Sequence, residues 1–103
     1  MSKLKGALEL DLAPDLGAAA CRETFRELDW EVLVDDQAVI AAREDATRLS
    51  CRRWPARTEL RIARGEHGGA VISIETEVPG FGPISSSHAR DRHLGVARRI
   101  LHR

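Results

Sequence analysis

The sequence predicts one α+β domain: an antiparallel sheet of four to five strands with two helices on one face, in the order β-α-β-β-β-β-α. Three observations point there. The chain has 103 residues, the size of a single domain. Apolar residues recur at every second position in several short stretches, the mark of half-buried strands. Near the N-terminus and again at the C-terminal end the spacing changes to three and four, the mark of amphipathic helices.

Residues 7–12 alternate, with Leu8, Leu10 and Leu12 on one side and Ala7, Glu9 and Asp11 on the other, which predicts a first strand. Pro14 suits the first turn of a helix and Asp15 complements its positive end. Ala18, Cys21, Phe25 and Leu28 then form an apolar stripe, opposite Arg22, Glu23, Arg26 and Glu27, so residues 14–29 read as an amphipathic helix. From Trp30 the period falls to two. Trp30, Val32 and Val34 are expected on one face, Asp35-Asp36-Gln37 as a turn, and Val39 to Arg43 as the returning strand. A second hairpin is clearer. Leu60 and Ile62 point inward from residues 58–64, Glu66-His67-Gly68-Gly69 makes the turn, and Ile72, Ile74 and Val78 oppose Ser73, Glu75 and Glu77. Two prolines and two glycines in Pro79-Gly80-Phe81-Gly82-Pro83 must end the sheet. Ser86 or Ser87 is expected to cap a final helix with Leu94, Ala97, Ile100 and Leu101 as its packing stripe.

Composition narrows the partners. Sixteen basic residues balance sixteen acidic ones, which removes the strongest argument for a polyanionic partner. The neutral total hides blocks: residues 1–47 and 65–85 are acidic, 48–64 and 86–103 basic. Local compensation between neighbouring elements is the simpler reading of these blocks. No apolar stretch is long enough to span a bilayer and no secretory signal is evident, so a cytoplasmic protein with no membrane partner is expected. Cys21 and Cys51 are expected as buried thiols. The preference for arginine over lysine and the abundance of alanine suggest a GC-rich bacterial genome.

The element order resembles the TATA-binding-protein-like and Bet v 1-like helix-grip folds. More narrowly it is similar to small uncharacterised bacterial domains, through Leu28-Asp29-Trp30 at the end of the first helix, Ala38-Val39-Ile40-Ala41-Ala42 as a strand, and Ile84-Ser85-Ser86-Ser87 leading into the last helix. The resemblance implies a curved sheet with the C-terminal helix lying along it. The chain is shorter than a typical helix-grip ligand-binding protein, which argues against a large internal cavity.

Residues 85–93, Ser-Ser-Ser-His-Ala-Arg-Asp-Arg-His, contain the residue types of a serine hydrolase. They lack a nucleophile elbow, and serines before a helix are ordinary capping residues. No enzyme activity, cofactor or metal is expected. His88 and His93 diverge by about 140° on one helix, and Cys21, Cys51 and His67 stand singly. Arg52, Arg53, Trp54 and Arg57 form the most suggestive group, since arginines around an indole can hold an anion or stack on a base. The preferred alternative is that Trp54 folds inward as packing while the arginines pair with the acidic first helix. On the open sheet face Glu9, Asp11, Glu31, Glu59, Glu75 and Glu77 outnumber Arg61, so nucleic acid is disfavoured there and would have to use the arginine cluster or the last helix.

Three functions remain, in this order. The first is a non-catalytic interaction or self-association module, such as a homodimer, motivated by the charge blocks and a thin core. The second is a small-ligand groove between the sheet and the last helix, with Pro79 to Pro83 as its rim and Phe81 as its lid, near Ser87 and His88. The third is weak nucleic-acid binding.

Overall fold

The computed structural model describes residues 2–45, 54–80 and 82–102. The elements are β1 (Ser2–Leu10), α1 (Pro14–Leu28), β2 (Glu31–Asp35), β3 (Val39–Arg43), β4 (Arg57–Arg64), β5 (Ala70–Val78) and α2 (Pro83–Leu101). The strands form one antiparallel sheet in the order β1-β5-β4-β3-β2, so the fold class and element order agree with the expectation. Both helices pack on one face of this sheet. No helix is long and apolar enough to cross a membrane.

The central hairpin obeys the period of two throughout. Leu60, Ile62, Ile72, Ile74 and Val78 are buried, and Glu75 and Glu77 stay partly exposed on the other face. Phe25 and Cys21 from α1 and Val96 and Ile100 from α2 complete the core. Cys51 lies outside the described residues.

β1 is longer than the alternation of residues 7–12 suggests, and it stops before Leu12. Its extra length runs antiparallel to β5, from Ser2 opposite Val78 to Gly6 opposite Ile74. Lys3 and Lys5 stand opposite Glu77 and Glu75 in the register, and the Lys3 ammonium lies 3.1 Å from both carboxylates. Lys3 holds the Glu75 carboxyl below its ordinary range. Lys3 pairs with Glu75 and Glu77, and Arg57 and Arg61 lie beside Glu59, so that face is more evenly charged than a count of its acids against Arg61 suggests.

β2 departs most. An extra residue sits between Val32 and Val34, so Val32 pairs with Ala42 and Val34 with the adjacent Ala41. This bulge puts the two valines out of phase, and the strand lies at the edge of the sheet. Val32 and Val34 are therefore 44% and 38% exposed where burial is expected. The turn behaves as read: the Asp36 carboxylate accepts from the Ala38 and Val39 amides at 2.7 and 2.8 Å, and these bonds lower its pKa.

α1 starts on Pro14 and ends at Asp29, whose φ of 61° gives the left-handed turn a helix end often needs. A Cβ on Gly17 would lie 2.8 Å from the Ala70 side chain, so glycine allows α1 to rest directly on β5. α2 corrects two expectations. It begins at Pro83 after Gly82 with no side-chain cap, leaving Ser86 and Ser87 inside the helix. Leu94 and Leu101 are exposed, while His88, Ala89, Val96 and Ile100 face the sheet. The inward stripe runs at steps of four through His88, Arg92, Val96 and Ile100, so two of its members are polar.

Candidate functional site

Glu44 follows the last residue of β3 and is only 7% exposed. Its amide donates to the Ala56 carbonyl at 2.9 Å, extending the β3 pairing toward the start of β4. Its Oε1 accepts from the Ala56 amide at 3.0 Å and contacts His88 Nε2 at 2.6 Å. Its Oε2 accepts from Arg92 Nε at 2.7 Å. One carboxyl group thus joins the end of β3, the start of β4 and two successive turns of α2. The pairing satisfies a group that would be costly to bury alone.

A second polar line crosses the same helix-sheet interface. Thr58 and Thr76 hydroxyls face each other at 3.0 Å, and Thr76 lies 2.9 Å from His93 Nδ1. Gly6 makes room for the ring, since a Cβ there would stand 3.2 Å from His93 Nε2. Burial pushes the His93 imidazole below its ordinary pKa.

A cleft of about 270 Å³ opens beside Glu44, between the end of α1 and the middle of α2. Trp30 and Leu28 form one wall, and Arg92, Gly95 and Val96 the other, with Asp29, Asp45 and Asp91 around them. A second hollow of about 600 Å³ shares Asp29, Trp30, Glu44 and Asp45 and extends along Glu31, Arg43 and Pro55. Trp30 is fixed from behind by stacking on Phe25, with ring centroids 5.6 Å apart. Gly95 leaves its wall bare: a Cβ placed there meets nothing within 4 Å.

The residues singled out from sequence are scattered. His88 is buried on Glu44, Ser87 is exposed on α2, and Arg57 lies 4.0 Å from Glu59 on the open face. Trp54 is 60% exposed and does not plug the sheet edge; its indole lies beside Gly80, where an added Cβ would be 3.4 Å from Cδ1. Arg52, Arg53 and Phe81 lie outside the described residues. Pro79, Gly80, Gly82 and Pro83 do not line the cleft, which opens farther along α2. Sequence reasoning missed Glu44, Arg92, Trp30 and Gly95 as a group. The available signal was the run of steps of four from His88 to Ile100 with a glycine beside it. Among the described residues, no three metal-ligating side chains converge.

No protein-family model and no curated protein matches the sequence. Among solved structures the chain is similar to a protein from Nitrosospira multiformis, with a TM-score of 0.63 at 6% identity over 95% of this chain and 92% of that one. It is also similar to Ara h 8.0201, with a TM-score of 0.54 at 9% identity over 95% and 93%. Identities this low speak to fold alone, and the fold they support is a compact α+β domain with a likeness to Bet v 1-like proteins.

Proposed function

We propose that the protein binds a small organic ligand in the cleft between Trp30 and α2. The observation that carries this reading is Gly95. Glycine in a helix interior costs about 1 kcal/mol relative to alanine, and here no neighbour requires it, because the space beyond is the cleft itself. The cleft is near the small end of the range for ligand sites, roughly 300–1,000 Å³, and it opens onto the larger hollow across Glu44. A Bet v 1-like arrangement of sheet and C-terminal helix is compatible with a ligand at their junction.

The lining indicates the ligand class. Trp30 offers an aromatic face, Leu28 and Val96 offer apolar contact, and Asp91 stands at the rim, while Arg92 is held by Glu44. A flat apolar body carrying a cationic group fits these surfaces. Phenethylamine and its acidic counterpart, phenylpropionate, are suitable probes, read by Trp30 fluorescence in a Trp54→Phe background. Saturable quenching by the amine, weaker with the acid and abolished by Gly95→Leu, is the expected result. Gly95→Leu replaces a poor helix former, so loss of binding without loss of thermal stability would separate occlusion of the cleft from unfolding. Equal responses in the parent and Gly95→Leu proteins would sink the reading.

Self-association and weak nucleic-acid binding, the other two functions expected from sequence, do not draw on the cleft.

A further inference from the structure

α2 carries four arginines and a single acid, Asp91. Two of the arginines are engaged: Arg92 lies 2.7 Å from Glu44, and Arg99 lies 3.3 Å from Glu27. Asp91 has no hydrogen-bond or ion-pair partner among the described residues, although its helix is rich in cations. Helix geometry explains this. Residues three and four positions apart share a face and form the usual pairs within a helix, and for Asp91 these are Ser87, His88, Leu94 and Gly95. His88 is buried on Glu44, and the other three carry no charge. Arg90 and Arg92 are adjacent in sequence and leave the helix about 100° to either side.

Asp91 also lines the cleft, one turn of α2 before Gly95. Side chains on a helix lean toward its N-terminus, so the space that a side chain at position 95 would fill lies against the turn that carries Asp91. The bare wall and the unpaired carboxylate therefore adjoin each other, on the side of the cleft opposite Trp30. We infer that Asp91 sets the charge preference of the cleft, receiving the ammonium group of a ligand whose flat body lies on Trp30. The inference rests on the cleft being the binding site.

The other charges on the lining are already met. Arg92 would favour an acid if its charge were uncommitted, but its Nε donates to Glu44 Oε2, and that carboxylate and guanidinium together carry no net charge. Asp29 and Asp45 have interactions of their own. Asp91 is left to select a cation. Because the carboxylate is exposed, water and salt weaken its pull, and the preference it confers is severalfold.

Dissociation constants of phenethylamine and phenylpropionate, read by Trp30 fluorescence in the Trp54→Phe background, test this in the parent, Asp91→Asn, Asp91→Glu and Gly95→Leu proteins. Asp91→Asn is expected to weaken the amine about fivefold and to leave the acid unchanged or bound slightly tighter, whereas Asp91→Glu keeps the parent's preference. Raising the salt concentration tenfold should weaken the amine on the parent and not on Asp91→Asn, since only the ionic contact is screened. Asp91 is exposed and unpartnered, so the melting temperatures of both variants should match the parent's, which separates loss of charge from loss of fold. If Asp91→Asn keeps the parent's ratio of amine to acid affinity while Gly95→Leu abolishes binding, the cleft stands and the role of Asp91 is overturned. If the parent binds neither probe, the cleft reading itself fails and takes this inference with it.

Discussion

The two hairpins use similar residues to different ends. β4 and β5 are paired on both sides by other strands, and every inward position of the sequence pattern is filled by a buried side chain. β2 carries a similar alternation in its sequence, but in this hairpin β3 is buried at three consecutive residues, Ile40 to Ala42, and β2 is bulged and wet. A period of two assigns faces only while the register is unbroken, and it assigns burial only where another layer covers that face. β2 meets neither condition.

The sharpest way to break this comparison is to delete volume in each hairpin. Ile72→Ala in the centre should cost about 4 kcal/mol, in the range for large-to-alanine core changes. Val32→Ala on β2 should change stability by less than about 0.5 kcal/mol. Urea denaturation of both variants checks the contrast, and similar losses would show that β2 is as well packed as β5.

Glu44 is where the peripheral hairpin gains a tie to the rest. Glu44→Leu leaves His88 and Arg92 facing an apolar group and should cost about 3 kcal/mol, as expected for removing one member of a buried charged group. The same denaturation measurement applies, and a neutral outcome would mean that the three-way contact contributes nothing net.

These cases also show what was legible in advance. α1 and the central hairpin were readable because one local rule decides each of them: a stripe at three and four, or strict alternation against a covered face. α2 was readable as a helix, but its start and orientation were not. Pro83 after Gly82 initiates it without a serine cap, and its inward stripe contains His88 and Arg92 where apolarity points to Leu94 and Leu101. The cleft was less visible still. Glu44 and Arg92 are 48 positions apart, and nothing about an isolated glutamate after a strand marks it as buried. Tryptophans usually pack, but Trp54 is exposed.

Smaller effects sharpen the comparison within α2. Gly95→Ala should raise stability by about 1 kcal/mol, since the added Cβ meets no atom; a melting temperature that falls would contradict the open space on that wall. The smallest effect concerns His93 on the central hairpin's Thr76. Its pKa is lowered in the folded state by burial, so the unfolded chain takes up the proton more readily. Stability is full above the ordinary histidine pKa of about 6.5 and declines as pH falls from there through the lower folded value. Thermal melts between neutral and mildly acidic pH should show this decline, and His93→Gln should flatten it.

The anchoring of Glu44 has a consequence for how the chain comes off the ribosome. Its histidine partner lies 44 residues downstream and its arginine partner 48, so the strand that carries this acid emerges long before the helix that neutralises it. Until α2 arrives, the nascent sheet cannot bury that corner without stranding a charge, and it stays hydrated. Docking of the last helix is thus the step that dries and locks a half-built domain.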